Sequence, residues 1–242
     1  MYREIRPRPQ FQSLIDCFWT FSQVGGRAES FKILPDACSD IIFDLQREDR
    51  FFSGVMATFQ YREVAGDAEL LGIRFKTEIF SHFSKVPAID YKNLTVDLQH
   101  ILPANTYENL KCISKVSTVE KRIAFLEEVI GRLAMQESTS QDHLVRAVIE
   151  VIRARNGNVN VGGLAKLYFI SLRQLERRFK NCTGLTIKEF ASIVRFDASR
   201  EMITKHRSLS LMEISFQMGF FDNAHMNCEF KRIAGENPSS FR

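Results

Sequence analysis

Arg173, Arg177, Arg178 and Lys180 crowd one short stretch, "SLRQLERRFKNCTGLTIKEF" (171–190), with Glu176 to offset them. Like charges this close repel, so their chemistry is the capture of something negative rather than bond making. Leu172, Leu175 and Phe179 recur at spacings of three and four, which predicts one apolar stripe of a helix. Arg173, Gln174, Arg177 and Lys180 then lie off that stripe. Two readings of this single helix stay open: a solvated charged face, or a face built for a partner. Ser171 is placed to cap the helix, and Gly184 to end it in the left-handed conformation.

Other reactive side chains are sparse. Asp36 and Asp40 flank Ala37-Cys38, and Arg74 stands in "GIRF". An Arg–carboxylate pair there would hold strands together or line an effector pocket with Trp19 and Phe75. His82 and His100 share no ligand spacing, so no metal is expected. Cys17, Cys38, Cys112, Cys182 and Cys228 are scattered without a CxxC pair, which fits a reduced compartment. No nucleophile–base pair and no phosphate loop is recognisable, so neither an enzyme nor a cofactor is expected.

The elements that position the basic face come in pairs. Shifted by 51 residues, "SLRQLERRFKNCTGLTIKEF" meets "DNAHMNCEFKRIAGENPSSF". Ser171 meets Asp222, Phe179-Lys180 meets Phe230-Lys231, Gly184 meets Gly235 and Phe190 meets Phe241. Upstream, Leu164-Ala165 corresponds to Ile214-Ser215, with one extra residue in the second turn. Short helix, tight turn, capped helix and glycine thus occur twice, the form of a helix-turn-helix. Between the copies, "IKEFASIVRFDASREMITK" predicts a helix over 187–205, about 28 Å long at 1.5 Å per residue. Successive major grooves of a duplex lie about 34 Å apart.

Charge divides the chain in the same place. From Gln141 to Arg242 there are 16 Lys and Arg against 10 Asp and Glu, and before it 17 against 19. A basic C-terminal part beside a mildly acidic N-terminal part suggests nucleic acid as partner of the former. The N-terminal part alternates Phe, Ile and Val segments with turns and reads as strands, followed by helices near 77–85 and 104–116. Over 117–136, Ser117 with Glu120 suggests a capping box. There Val119, Ile123, Leu126, Ile130 and Leu133 form a short heptad seam. That seam would serve packing on its own domain or a homodimer contact. "ESTSQ" (137–141) is the expected linker. The expected fold is α+β: residues 1–136 a β-rich domain ending in a helix, and residues 142–242 all-helical with two motifs joined by a long helix. No apolar run approaches the ~18 residues of a membrane span, and the opening "MYREIRPRPQF" lacks a signal-like apolar core, so a cytoplasmic place is expected.

The C-terminal hundred residues, from about His143, closely resemble the AraC/XylS family of bacterial transcription regulators. The resemblance rests on "LAKLYFISLRQLERRFKNCTGLTIKEF" and "ISFQMGFFDNAHMNCEFKRIAGENPSSFR". It implies a reader of double-stranded DNA, usually an activator that contacts RNA polymerase. Base contacts then fall on Arg173, Glu176 and Arg177, with Ser171 and Gln174 at the helix start and Lys180 and Lys188 on phosphates. In the second motif the facing positions are Asn223, Ala224, His225 and Cys228, with Lys231 on phosphate. Cys228 stands where the family commonly has arginine, so this motif would read more weakly. Docking a protein partner through it is the alternative. "CFWTF", "LPDACSDIIFDL" and "LLGIRF" resemble a small presumed sensor domain that precedes this reader in some members, and that resemblance supplies no ligand.

Overall fold

In a computed structural model, all residues except 27, 65, 80–85 and 137–141 are described. Strands β1 (Tyr2–Ile5), β2 (Ile15–Gln23), β4 (Ser39–Asp44), β5 (Asp49–Ser53), β7 (Ala68–Phe75) and β8 (Thr95–Asp97) form one antiparallel sheet in the order β1-β2-β7-β4-β5-β8. Strands β3 (Glu29–Ile33) and β6 (Gln60–Val64) pair separately. Alternation decides which face is buried. Ile41 and Phe43 on β4, and Leu71, Ile73 and Phe75 on β7, enter one core with Phe18 and Phe52.

Helix α1 (Ala104–Leu110) runs into a 3-10 turn, and helix α2 (Val119–Gln136) closes over the sheet core. Ile123, Leu126, Ile130 and Leu133 of the expected heptad seam are buried in that core, with Val119 packed against it. The homodimer contact considered for 117–136 is therefore corrected: the chain fills this seam with its own sheet. Buried Glu127 accepts from the Arg8 backbone N–H at 2.7 Å and also holds the Arg8 guanidinium, while Arg122 reaches Glu69 at 2.6 Å. The cap of α2 is a second correction. Thr118, not Ser117, accepts from a backbone N–H, that of Lys121 at 3.3 Å. Most of the helix expected at 77–85, and all of the expected linker at 137–141, lie outside the described residues.

Residues 143–242 are all-helical: α3 (His143–Ala154), α4 (Val161–Leu167), α5 (Leu172–Thr183), α6 (Ile187–Lys205), α7 (Leu211–Gln217) and α8 (Asn223–Ala234), then a 3-10 turn at Pro238–Phe241. Each of these six α-helices begins on a side chain that accepts from the backbone: Asp142, Asn160, Ser171, Thr186, Ser210 and Asp222. Each such cap is worth about 1 kcal/mol, so the breaks between helices are written locally in the sequence. The whole fold is α+β.

Candidate nucleic-acid interface

The repeat in sequence is a repeat in space. Leu175 and Phe179 of α5, and Met226 and Phe230 of α8, are fully buried at matching positions. Phe179 meets Phe190 edge-on at 5.5 Å, and Phe230 meets Phe241 in the same manner at 5.7 Å. Gly184 (φ 75°) and Gly235 (φ 70°) end the two helices in the left-handed region, their N–H groups donating to Lys180 and Lys231 carbonyls at 2.9 Å. The joining helix α6 spans 19 residues, as the sequence predicts.

Burying these stripes turns the opposite faces to solvent. Ser171, Arg173, Gln174, Glu176, Arg177 and Lys180 of the first motif are exposed, as is Lys188 at the start of α6. The basic cluster noted in the sequence is not uniform, however. Arg178 makes a two-pronged ion pair with Asp142, at 2.8 and 2.7 Å, fastening α5 to the cap of α3. Arg178 stays exposed, but its guanidinium is committed to Asp142.

The second motif presents less. Ala224 and Cys228 are exposed but carry little polar chemistry, and Lys231 is exposed. His225 is half-buried, and its Nδ1 accepts the Phe221 backbone N–H at 3.3 Å while its ring meets Phe220. Only its other nitrogen is left for a base or phosphate. Asn223 is half-buried, and its Oδ1 is enclosed without a hydrogen-bond partner. Arg232 is tied to Glu229 at 3.1 Å through two nitrogens, and Arg195 lies over the Phe220 ring at 4.6 Å. Desolvation raises the Glu229 carboxyl, but hydrogen bonds from Arg232 and Ser192 outweigh it and hold the group low.

Sequence reasoning missed how the β unit grips both motifs. Ala37, Val55 and Ala57 are buried in the core of the first motif, and Leu34 packs on that of the second. The Phe59 N–H donates to the Ile233 carbonyl at the end of α8, at 2.8 Å. Lys92 pairs with Glu189 of α6 at 2.6 Å, and Lys32 pairs with Glu236 beyond α8. The glycine caps are the contact points. A Cβ on Gly184 would stand 2.8 Å from Val55 Cγ2 and 2.9 Å from the Ala88 carbonyl oxygen, and one on Gly235 would stand 2.6 Å from Phe59 Cε1.

Four of the residues suggested for an effector pocket do assemble. Arg74 lies 3.0 Å from Asp36, 3.3 Å from Asp40 and 3.4 Å from Glu4, and Trp19 Nε1 donates to Asp40 at 3.2 Å. Burial pushes the Asp40 carboxyl up to about 6, against the opposing pull of Arg74. The cluster stitches β1, β2, β4 and β7, the strand-holding role. Phe75 is corrected: it points into the sheet core and is fully buried, away from this cluster. Cys17 and Cys38 are both buried, and burial pushes the Cys17 thiol up to about 12. Among the described residues no group of three or more His, Cys, Asp or Glu could hold a metal. No helix among the described residues is long and apolar enough to cross a membrane.

Paired three-helix units with a buried stripe, a capped second helix and an exposed basic face define a helix-turn-helix protein. Residues 164–242 match the model of a helix-turn-helix domain, and residues 3–97 match a domain of unknown function, DUF6597. The Msm operon regulatory protein of Streptococcus mutans is 32% identical over 129 residues, covering 52% of this chain and 46% of that protein. The HTH-type transcriptional activator RhaS of Escherichia coli is 29% identical over 132 residues, with the same coverages of 52% and 46%. The chain thus spans about half the length of these relatives. Among solved structures, ToxT of Vibrio cholerae O395 aligns over 93% of this chain and 96% of its own at 11% identity and a TM-score of 0.47. The chain thus carries a helix-turn-helix domain over residues 164–242, after a domain of unknown function, DUF6597, over residues 3–97.

Proposed function

We propose that this chain is a sequence-specific, DNA-binding transcription regulator whose two motifs, joined by α6, read neighbouring major grooves. The observation that carries this reading is the repeated motif with exposed Arg173 and Arg177 on α5, the second helix of its first copy. Each guanidinium is suited to a two-pronged hydrogen bond with guanine O6 and N7. Lys180, Lys188 and Lys231 are suited to phosphates, which position without specifying. Glu176 would orient an arginine or accept from cytosine. With Ala224 and Cys228 on its face, α8 contributes backbone and shape contacts more than base reading, and Asn223 and His225 add at most one polar contact each.

The division into residues 1–136 and 142–242 belongs to the same proposal, with the first part modulating the second. Its support is the grip of residues 34–37 and 54–59 on both motifs. A small-molecule effector or partner that moved those segments would change how the motifs are spaced. RNA polymerase is the partner an activator would need, and RhaS is named as an activator. The relatives' names favour this DNA reading over protein docking through the second motif.

Selection of bound duplexes from a random pool, with and without cell extract, tests the proposal. Enrichment of one sequence class, with affinity falling steeply with salt, is the expected result. Binding without any sequence preference would overturn it.

A further inference from the structure

The turns that join the two helices of each motif differ in one residue that folding alone does not explain. Phe169 and Gly219 hold equivalent places, both in the left-handed region, at φ 52° and 72°. The Phe169 N–H donates to Lys166 O at 3.2 Å and the next N–H, of Ile170, to Ala165 O at 3.1 Å. In the second motif the Gly219 N–H donates to Phe216 O at 3.1 Å and that of Phe220 to Ser215 O at 3.0 Å. Glycine takes this conformation without strain, whereas a residue with a Cβ does not. Phe169 gains nothing in return from packing, because it is 98% exposed. A ring that strains its backbone and touches no core is placed for something outside the chain.

Its position says what. Phe169 stands two residues ahead of the Ser171 cap, at the N-terminal end of α5. Leu172, the first residue of that helix, is 44% exposed, and Arg173 and Gln174 follow on the exposed face. An apolar ring bordered by cations, at the end of a helix that enters a major groove, suits a duplex surface of the same make-up. The groove's own apolar group is the thymine 5-methyl, which phenylalanine is able to contact. We infer that Phe169 is a specificity-determining residue of the first motif, its ring packing on a thymine methyl in the half-site read by α5. The inference rests on the DNA-binding reading above.

Phe169→Gly removes the ring and relieves the backbone, and Phe169→Asn removes it with a residue that tolerates the left-handed region. Both variants are expected to unfold at or above the denaturant midpoint of the unaltered protein. On the duplex selected by the full chain they should bind about tenfold more weakly. The dependence on salt should be unchanged, since an apolar contact releases no counterions. Replacing thymines by deoxyuridine one at a time should weaken the unaltered protein at one position of the first half-site and leave Phe169→Gly indifferent there. Equal affinity of variant and unaltered protein, or the same deoxyuridine sensitivity in both, overturns the inference while leaving the DNA reading intact. If the unaltered protein selects no duplex at all, both fall together.

Discussion

Gly184, the left-handed end of α5, lies against Val55 of the β unit, so close that an added Cβ would stand 2.8 Å from Val55 Cγ2. A helix of the basic domain and a loop of the N-terminal domain therefore share one contact, and the glycine serves turn and packing together. Gly184→Ala is expected to combine backbone strain of about 1 kcal/mol with overpacking of about 1–3 kcal/mol. Gly25→Ala is the control. Gly25 is also left-handed, at φ 66°, but has nothing within 4 Å of its added Cβ, so only the backbone cost is expected. Urea unfolding of both variants separates the two contributions, and equal losses would show that the Val55 contact is slack.

The arginines of α5 divide by partner. Arg177→Ala or Arg173→Ala should cost roughly 1–3 kcal/mol of binding to a selected duplex and relax its sequence preference. Arg178→Ala should leave sequence preference unchanged, because its guanidinium is held by Asp142. Its exposure limits the lost ion pair to about 1 kcal/mol of stability. Fluorescence anisotropy on matched and mismatched duplexes, beside unfolding curves, checks both. If His225→Ala and Cys228→Ala weaken binding more than Arg177→Ala does, the weight placed on the first motif is wrong.

Asp40 makes stability depend on pH in an unusual direction. Its carboxyl rises from the ordinary 3.8 to about 6 because burial disfavours the charge. The folded chain therefore keeps this proton longer than the unfolded chain. The stability contributed by the neutral form is complete below pH 3.8 and is lost as pH rises through about 6. The loss for this one group is on the order of 3 kcal/mol. Asp40→Asn should remove it, so the difference between variant and unaltered protein should grow in the variant's favour from pH 4 to 7. A difference that is flat across that window contradicts the assignment.

Lys92 and Glu189 tie the β unit to α6 across the interface. Desolvation raises the Glu189 carboxyl, but hydrogen bonds from Lys92 and from the capping residue Thr186 outweigh it and leave the group lowered. A lowered carboxyl stabilises above its unfolded value and loses that contribution as pH falls through its folded one. Lys92→Ala should therefore weaken the tie at neutral pH and matter less in acid. Hydrogen exchange across residues 54–59 should quicken in the variant at pH 7, and unchanged exchange would mean that packing alone holds the interface.

What could be read ahead of the structure was local. The caps at Ser171 and Asp222, the apolar stripes and the terminal glycines lie within one helix each, so the repeated motif was legible. The α2 stripe was legible too, but its partner was not: a seam of Ile123, Leu126 and Ile130 looks alike whether a second copy or a sheet fills it. Arg178 escaped because Asp142 lies 36 residues away and its pairing depends on how α3 packs. The docking of Val55 and Phe59 on the two motifs was hidden for the same reason, since nothing in "GVMATFQY" distinguishes a strand connection from an interface.

Hydroxyl-radical footprinting on the selected duplex bears most directly on two motifs reading one face of the helix. Two protected stretches about one helical turn, ~10 base pairs, apart on the same face are expected, with the one under α5 lost in Arg177→Ala. A single protected stretch, or two on opposite faces, would contradict the placement of α5 and α8 in neighbouring grooves.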